Sequence, residues 1–342
     1  MPKNLKLRQH PKCPERSSAM PVHYRCHAVK EFPGWDQVQK TSIHWTTGLN
    51  IGSASEIHGL ITTPELPITA QLLEPMQQLV VISAYGVGYD YIDVEAASTL
   101  GILVTHTPDA VIRATTELGI ALILASIRDI AGQDRRIRRK STPSGKLEFP
   151  VSRLTHDASS QLVGLVGYGR IGQRLGQVLM ALDIPFIYTR RRGPFTNHPG
   201  YRDLDVMLEE ADVIVLTVPL TPDTYHLINR QTLSHMKPSA ILINIARGAC
   251  VDEVALIDAL QSGTIAGAAL DVFEDEPWVP KALGEMDNVI LSPHAGTSTW
   301  ETRLAMTRDA VRNVLSALAG VPQNAINSGQ WTRIADHANR QS

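Results

Sequence analysis

The chain has 342 residues, which corresponds to about two domains at roughly 150 residues per domain. Hydrophobic residues make up 43% of the sequence and charged residues 19%, which is typical of a globular chain and excludes a disordered or fibrous protein. The net charge of −2 gives no overall field that would attract nucleic acid or an anionic membrane surface. We therefore expect no nucleic-acid partner and no membrane association.

The cysteine content does not indicate a disulfide framework or a metal centre. The three cysteines, Cys13, Cys26 and Cys250, fit no closely spaced zinc motif and leave one thiol over after any pairing. This pattern favours a reducing compartment and predicts no metal site.

The N-terminal segment and the longest apolar stretch bear on where the protein resides. The first nineteen residues are polar and basic without an apolar run, which argues against a secretory signal peptide. The apolar stretch 118–127 falls far short of the ~20 residues that a membrane span requires. We expect a cytoplasmic protein whose first residues form a tail, with an organelle presequence or a true start at Met20 as alternatives.

The N-terminal third of the chain shows a loose alternation of strands and helices. Before His58 the periodicity is weak and predicts no element. Residues 118–130 are apolar nearly all round, which predicts a buried helix that connects two domains. Apolar runs predict strands over 60–62, 79–83 and 102–105, and a helix over 94–100.

From Gln161 onward the chain repeats a short apolar strand, a turn and a helical stretch. The strands are uninterrupted apolar runs, as expected for parallel strands that are covered on both faces. This alternation predicts right-handed crossovers and an α/β fold with a doubly wound parallel sheet. The predicted strands are 162–166, 184–188, 213–217, 240–245, 267–272 and 289–291, and the predicted helices are 171–182, 253–261 and 297–319.

A glycine-rich turn follows the first of these strands. Residues 167–172 have the pattern G-x-G-x-x-G between a strand and a helix. Gly167 permits the turn, Gly169 lets the backbone approach a pyrophosphate, and Gly172 lets the helix pack closely on the strand. Because the helix N-terminus supplies free N–H groups, this context predicts a dinucleotide site.

The end of the next strand bears on which dinucleotide binds. An NAD site usually has an acidic residue there that accepts hydrogen bonds from the ribose 2′-hydroxyl. Guanidinium groups at that place favour a 2′-phosphate, although a solvated basic loop is the alternative. We predict that NADPH is preferred, with NAD as a second cofactor, because the sequence here reads Tyr188-Thr189-Arg190-Arg191-Arg192.

Four polar residues lie near or beyond the ends of the later strands and are expected at the same sheet edge. They are Arg247, Asp271, Glu276 and His294. Ligands of open parallel sheets bind at the carboxyl ends of the strands. The alternatives are that Arg247 pairs with Asp252 and that the acidic residues cap turns. Convergence of all four on one edge favours a catalytic site.

These residue types match the needs of hydride transfer to a 2-oxo acid. Histidine can exchange a proton with the substrate oxygen, since its ordinary pKa lies near neutrality. A carboxylate such as Glu276 can hold the ring of His294 and stabilise its charged form. A guanidinium such as Arg247 can bind the substrate carboxylate and polarise the carbonyl.

Four sequence motifs occur in an order and at a spacing that are characteristic when taken together. They are VGLVGYGRIG over 163–172, INIARG over 243–248 followed by Val251-Asp252-Glu253, LDVFEDEP over 270–277, and SPHAG over 292–296. The N-terminal half adds GVGYDYID over 86–93 and Thr107-Pro108-Asp109. With these motifs, residues 58–327 resemble the D-isomer-specific 2-hydroxyacid dehydrogenases.

The resemblance implies two doubly wound parallel-sheet domains. A Rossmann cofactor domain, residues 107–294, would be inserted into a discontinuous flavodoxin-like substrate domain formed by residues 1–106 and 295–342. It also implies a homodimer and a cleft that closes over both ligands.

The resemblance also assigns roles to individual residues. Arg247, Glu276 and His294 would be catalytic, and the backbone amides of Val87 and Gly88 would bind the substrate carboxylate together with Arg247 and His294. Asp271 would contact the nicotinamide carboxamide. The implied cofactor-binding set is Thr115, Gly167, Gly169, Arg170, Ile171, Gly172, Thr189, Arg190, Arg191, Val218, Pro219, Thr224, Ile245, Ala246, Arg247, Asp271, His294 and Gly296.

The basic segment Thr189-Arg190-Arg191 and the pair Phe149-Pro150 are most similar to the glyoxylate/hydroxypyruvate reductase branch. Some members of that branch have Gly-x-Trp where this sequence has Leu147, so the exact 2-oxo acid stays open. We expect an NAD(P)H-dependent reductase of small 2-oxo acids to D-2-hydroxy acids. A D-3-phosphoglycerate-type dehydrogenase and a corepressor-like nucleotide sensor on the same fold are the alternatives.

Overall fold

The computed structural model describes residues 24–38, 43–48, 50–51, 54–140, 154–195 and 199–333. The predicted N-terminal tail with Cys13 and Met20, and the segment with Leu147 and Phe149-Pro150, lie outside the described residues. Within the described ranges, none of the helices has the length and apolarity needed to cross a bilayer.

The N-terminal part of the chain forms a five-stranded sheet in which every neighbouring pair is parallel. Its strands are β1 (Arg25–Ala28), β2 (His44–Thr47), β3 (Gly59–Thr62), β4 (Val81–Ala84) and β5 (Leu103–Thr105), and its helices are α1 (Trp35–Val38), α2 (Ala70–Leu73) and α3 (Val94–Thr99). The strand order β2-β1-β3-β4-β5 is that of flavodoxin-like folds.

Two consecutive helices lead out of this sheet, α4 (Ile112–Ile127) and α5 (Ile130–Lys140). α4 packs against a helix and two strands of the second sheet. The predicted helix over 118–130 is therefore correct in kind but wrong in its bounds. The helix ends because Asp129 adopts a φ of +50°, which interrupts the ladder of helical hydrogen bonds.

The second sheet has six strands, again all parallel. Its strands are β6 (Val163–Val166), β7 (Phe186–Thr189), β8 (Val213–Leu216), β9 (Ile241–Asn244), β10 (Gly267–Leu270) and β11 (Val289–Leu291). Its helices are α6 (Arg170–Ala181), α7 (Leu204–Glu210), α8 (Arg230–His235), α9 (Glu253–Ser262) and α10 (Lys281–Glu285). Short 3₁₀ turns occur at Ala54–Glu56, Ala158–Ser160, Gly248–Cys250 and Ser328–Gln330.

The order of the second sheet, β11-β10-β9-β8-β6-β7, reverses direction at β6. Strand β7 lies on one side of β6 and β8 on the other. A parallel bridge between Tyr188 and Tyr201 extends the sheet beyond β7, as a third strand does in Rossmann folds. The carboxyl end of β6, where the glycine-rich turn begins, is thus the topological switch point at which such sheets bind ligands.

Both faces of the second sheet are buried. All four residues of β6 are buried, with Val163 and Leu165 in one apolar cluster and Val166 in another. This explains why the strands read as continuous apolar runs rather than as alternating ones. The predicted strands of this half are confirmed to within a few residues at their ends.

The chain returns to the first sheet through α11 (Trp300–Leu318), which packs on β3, β4 and β5. The side-chain amide of Asn313 donates to the carbonyl oxygen of His106 at 2.8 Å, which fixes α11 to the end of β5. Two parallel-sheet α/β units therefore form the protein, and the predicted fold class is confirmed. The boundaries at residues 106 and 294 stay a prediction.

The elements before His58 have no counterpart in the sequence prediction. Strand β2 is an edge strand of largely exposed residues, so it shows no apolar run. Strand β1 contains a buried histidine, His27, whose two ring nitrogens bond to Thr46 and Gly48. A polar side chain satisfied by its neighbours replaces the apolar residue that a hydropathy pattern would detect.

Candidate active site

The glycine-rich turn has the local geometry that its sequence predicts. Gly167 has a φ of +100°, and its N–H donates to the carbonyl oxygen of Thr189 at 3.0 Å. A Cβ added at Gly172 would lie 2.3 Å from the carbonyl oxygen of Gly167, so a side chain there would separate α6 from β6. Both positions require glycine, one for its conformation and one for close packing.

Gly169 is different, because a Cβ added there would meet no atom within 4 Å. It is the N-cap of α6 and makes no side-chain capping bond. Gly169 and Arg170 are exposed, so the start of this twelve-residue helix is accessible and has no side-chain cap. This is the position at which a helix N-terminus can accept a pyrophosphate.

The basic segment begins at the end of β7, beside the glycine-rich turn. The guanidinium carbon of Arg190 lies 5.3 Å from the centre of the Phe195 ring. Arg191 forms an ion pair with Asp223, at 2.9 Å between Nη1 and Oδ2. The predicted basic residues thus lie next to the switch point, with Arg190 half-buried and Arg191 and Arg192 exposed.

Arg247 is held by three neighbours. Its Nε donates to Oδ1 of Asp90 at 3.0 Å and its Nη1 donates to the carbonyl oxygen of Ala246 at 2.8 Å. The buried side chain of Asn244 shapes the turn by donating to the carbonyl oxygen of Arg247 and accepting from the N–H of Ala246. The guanidinium therefore has a defined orientation between the two sheets.

Gly88 lies directly against this guanidinium. A Cβ added at Gly88 would lie 1.4 Å from Nη2 of Arg247, so the guanidinium occupies the space that any side chain would take. The loop before it is anchored as well, since His106 Nδ1 lies 2.9 Å from the carbonyl oxygen of Val87 and Thr107 donates to that of Gly86. The predicted carboxylate-binding loop and the predicted arginine are therefore in contact.

His294 and Glu276 form the second half of the site. His294 Nδ1 lies 2.8 Å from Oε2 of Glu276, and 43% of the histidine side chain is exposed. The other carboxylate oxygen accepts from the N–H of Phe273 at 3.1 Å. Burial alone would raise the pKa of Glu276, but the hydrogen bond and charge of His294, the Phe273 N–H and Arg247 together lower it.

The backbone at His294 is in the left-handed region, with a φ of +51°. Such a conformation costs about 1–3 kcal/mol outside glycine and persists only where the surroundings impose it. Here the His294 N–H donates to the carbonyl oxygen of Asp271 at 2.7 Å. The ring is therefore aimed by its own loop as well as by Glu276.

Asp271 fastens the histidine loop to the end of β10. Its carboxylate is almost fully buried and accepts from Ser292 Oγ, from the N–H of Ala295 and from the N–H of Gly296. Thr115 of α4 donates to the carbonyl oxygen of Gly296 at 3.3 Å. Asp271 thus has a clear positioning role, and its predicted contact with nicotinamide stays a prediction.

The arginine turn and the glutamate segment meet at Gly248. A Cβ added at Gly248 would lie 1.8 Å from the carbonyl carbon of Phe273. This close approach brings the turn that carries Arg247 against the segment that carries Glu276. The site therefore combines a guanidinium, an imidazole–carboxylate pair and an anion-binding helix end along one sheet edge, the set that hydride transfer to a 2-oxo acid requires.

The chain is similar to proteins of a known family. The family model for the NAD binding domain of D-isomer specific 2-hydroxyacid dehydrogenases matches residues 120–296. The glyoxylate reductase of Thermococcus litoralis is 40% identical over 291 residues, which cover 83% of this chain and 88% of that protein. The hydroxyphenylpyruvate reductase of Plectranthus scutellarioides is 37% identical over 270 residues, covering 79% of this chain and 85% of that protein.

A solved structure is similar over nearly the whole chain. It is an NADPH-dependent glyoxylate/hydroxypyruvate reductase from Sinorhizobium meliloti in complex with NADP and malonate. It has a TM-score of 0.81 and 31% identity, and covers 91% of this chain and 98% of that one. The chain belongs to the D-isomer specific 2-hydroxyacid dehydrogenase family. It is therefore an oxidoreductase that uses a nicotinamide cofactor, as predicted.

The residues at the switch point fit a dinucleotide of this kind. The helix end at Gly169 is open, and Val218 lies against Gly167, with its Cγ1 2.9 Å from a Cβ added there. In the turn after β8, the hydroxyl of Thr224 donates to the carbonyl oxygen of Pro219 at 2.6 Å. Ile245 and Ala246 are buried in the arginine turn, and Ile171 packs against the core.

One predicted cofactor residue has an unexpected partner. The side chain of Arg170 forms an ion pair with Asp109, 2.6 Å away in the segment that follows the first sheet. The backbone of Arg170 is at the first position of α6. The side chain of Arg170 links the turn to the connection between the sheets, and its role in cofactor binding stays a prediction.

Sequence reasoning missed three residues that shape the site: Asp90, Asn244 and His106. Asp90 and Asn244 lie inside quoted motifs, but no local pattern shows that they contact Arg247. His106 is the last residue before the predicted domain boundary and belongs to none of the quoted motifs. No group of three or more potential metal ligands is found in the part of the chain that the structure describes.

Proposed function

We propose that this protein reduces a small 2-oxo acid of the glyoxylate or hydroxypyruvate type to the D-2-hydroxy acid, with NADPH as the preferred reductant. The observation that carries this proposal is the contact between Gly88 and Arg247, on the same edge as the His294–Glu276 pair. The names of similar proteins support the same substrate class, because they include glyoxylate reductases and a glyoxylate/hydroxypyruvate reductase.

The proposed chemistry assigns a role to the cofactor, to three side chains and to two backbone N–H groups. A nicotinamide cofactor held at the glycine-rich turn 167–172 would supply the hydride that reduces the carbonyl carbon. Arg247 binds the carboxylate of the 2-oxo acid and polarises its carbonyl oxygen, with help from the N–H groups of Val87 and Gly88. The imidazolium of His294 donates a proton to that oxygen, and the carboxylate of Glu276 stabilises the imidazolium beforehand.

The preference for NADPH is argued from the end of β7. Arg190 and Arg191 offer guanidinium groups where an NAD-specific site presents a carboxylate. A 2′-phosphate accepts charge-assisted, bidentate hydrogen bonds from such groups. NADH remains a slower alternative cofactor in this proposal. Asp271 is proposed to accept from the nicotinamide carboxamide, since a carboxylate has acceptor capacity beyond its three internal bonds.

The domain organisation belongs to the same proposal. Residues 107–294 form the cofactor domain, and residues 1–106 with 295–342 form the substrate domain. The cleft between them holds Arg247 and His294 and closes over the ligands. The proposed working unit is a cytoplasmic homodimer, which light scattering of the purified protein would test.

A spectrophotometric screen tests the function. Purified protein is assayed with glyoxylate, hydroxypyruvate, 4-hydroxyphenylpyruvate and 3-phosphohydroxypyruvate, each with NADPH and with NADH, followed by analysis of product chirality. The proposal expects the highest kcat/KM for one of the first two acids with NADPH, and a D product from hydroxypyruvate. A preference for the phosphorylated acid would favour a phosphoglycerate-type enzyme. Tight cofactor binding without turnover of any acid would favour a nucleotide sensor.

A further inference from the structure

An ion pair joins the loops that follow β7 and β8. Nη1 of Arg191 lies 2.9 Å from Oδ2 of Asp223, with the two side chains 83% and 68% exposed. Strands β7 and β8 are not neighbours, because β6 lies between them. The pair therefore connects the two loops that flank the glycine-rich turn at the switch point.

Asp223 is carried by a turn with its own internal bonds. The N–H of Thr221 donates to Thr224 Oγ1 at 2.8 Å, and Thr224 Oγ1 donates to the carbonyl oxygen of Pro219 at 2.6 Å. The N–H of Tyr225 donates to the carbonyl oxygen of Thr221 at 2.9 Å. These bonds do not use the Asp223 carboxylate, so that side chain is free to change partner without loss of the turn.

The position of this carboxylate matters because the proposed function gives Arg191 another anion to bind. A guanidinium engaged by a carboxylate must release it, or share it, before it forms a bidentate bond to a phosphate. Exposed ion pairs are weak, so giving up the Asp223 carboxylate lowers the affinity of Arg191 for the phosphate by only about two- to fivefold. The negative charge of Asp223 also repels a 2′-phosphate, whereas an uncharged 2′-hydroxyl is unaffected.

We propose that Asp223 sets the strength of the NADPH preference, as an internal competitor of the 2′-phosphate for Arg191. This inference rests on the proposed binding of a 2′-phosphate by Arg191. Asp223 is a specificity-determining residue that weakens NADPH binding and leaves NADH binding nearly unchanged. The protein thereby releases the phosphorylated cofactor more readily than Arg191 alone would allow.

The test measures dissociation constants of NADPH and NADH by cofactor fluorescence for two single variants and the double variant. Asp223→Asn keeps the shape of the side chain and removes its charge. We expect its Kd for NADPH to fall about two- to fivefold at low salt, with a smaller effect near 0.5 M salt because the charges are screened. Asp258→Asn is the matched control, because it removes the carboxylate of another exposed Arg–Asp pair, with Arg230 between α8 and α9.

Arg191→Gln separates this inference from the proposed function. If Arg191 binds the phosphate, this variant raises the Kd for NADPH, and adding Asp223→Asn then tightens NADPH binding less than it does in the wild-type background, because only the direct repulsion of the phosphate remains to be removed. An unchanged Kd in Arg191→Gln overturns the phosphate assignment itself. A raised Kd in Arg191→Gln, with no tighter NADPH binding in Asp223→Asn, overturns only the role of Asp223. Equal tightening of NADPH and NADH in Asp223→Asn also overturns it.

Discussion

The guanidinium of Arg247 lies against Gly88 and occupies the space that a side chain on residue 88 would need. The two residues belong to different sheets, Gly88 following β4 and Arg247 following β9. Their contact joins the proposed carboxylate-binding loop to the residue that would polarise the carbonyl. The observed position of the guanidinium therefore requires glycine at residue 88, because any larger side chain would displace it.

Gly88→Ala should displace the guanidinium and lower kcat/KM for the 2-oxo acid by about 10²-fold, the usual cost of a misplacement of about 1 Å. Binding of NADPH should change little, because the glycine-rich turn is untouched. Steady-state kinetics and cofactor fluorescence measure the two effects. Gly329→Ala is the control, since a Cβ there meets no atom within 4 Å. Wild-type kcat/KM in Gly88→Ala would contradict the described contact.

Arg247→Lys tests whether the charge alone suffices. An ammonium cannot donate to Asp90, to the carbonyl oxygen of Ala246 and to a substrate carboxylate in the fixed directions of a guanidinium. We expect kcat/KM to fall by about 10²–10³-fold, in line with the loss of an aligned donor at a reacting oxygen. The unfolding temperature serves as the control for misfolding. Kinetics within twofold of wild type would remove the proposed clamp.

His294→Ala should lower turnover by about 10²–10⁴-fold, the usual contribution of general acid–base catalysis. The loop of this residue is held mainly by Asp271, so the fold and the cofactor site should remain. Single-turnover assays at saturating NADPH measure the loss, and the Kd for NADPH is the control. A variant that keeps more than half of wild-type turnover would exclude His294 as the proton donor.

We expect Glu276→Gln to change the pH dependence of kcat/KM for reduction. The pKa of Glu276 is lowered below its ordinary value, so this carboxylate stays ionised beside His294 into acidic solution. A nearby negative charge favours the imidazolium that reduction requires. Without that charge, the alkaline fall of kcat/KM for reduction should begin at a lower pH, and the pH optimum should move towards acid. An unchanged pH profile would mean that Glu276 only fills space.

Local and distant interactions explain which parts of the site the sequence predicts. The glycine-rich turn is local: Gly167, Gly169 and Gly172 act on their own backbone and on one helix end, so six consecutive residues suffice. The strand ends are also predictable, since buried parallel strands are continuous apolar runs. Arg247, Asp271 and His294 were found in this way because each follows such a run.

The partners of Arg247 were not predictable from pattern, whereas Glu276, the partner of His294, was predicted. Asp90 lies 157 positions before Arg247, and only the tertiary structure brings the loop after β4 beside the turn after β9. Strands β1 and β2 escaped detection because one has a buried, bonded histidine and the other is an exposed edge. The Asp90–Arg247 contact and the strands β1 and β2 all depend on tertiary contacts, which a short window of sequence does not show.

Glu253 provides a test of stability rather than of catalysis. It opens α9 and is 9% exposed, and its Oε1 accepts from the N–H of Glu274 at 2.9 Å. Burial raises the pKa of Glu253, helped by the charges of Glu274, Asp275 and Glu276, while the Glu274 N–H lowers it in part. The folded state therefore holds this proton more tightly than the unfolded chain does. The resulting stabilisation is complete at pH values below the unfolded pKa and is lost as the pH rises through the folded pKa.

Glu253→Gln keeps the accepting oxygen and removes the charge, so it should unfold at a higher temperature than wild type at pH 7–8. The gain should shrink as the pH falls through the ordinary range of a carboxyl group and vanish below it, because Glu253 is then protonated in both states. Thermal unfolding followed by circular dichroism between pH 3.5 and 8 measures this. Glu209→Gln, an exposed glutamate on α7, is the control and should show no such trend. A gain that is independent of pH would contradict the raised pKa of Glu253, and a loss at pH 7–8 would show that the negative charge of Glu253 stabilises the start of α9 more than its burial costs.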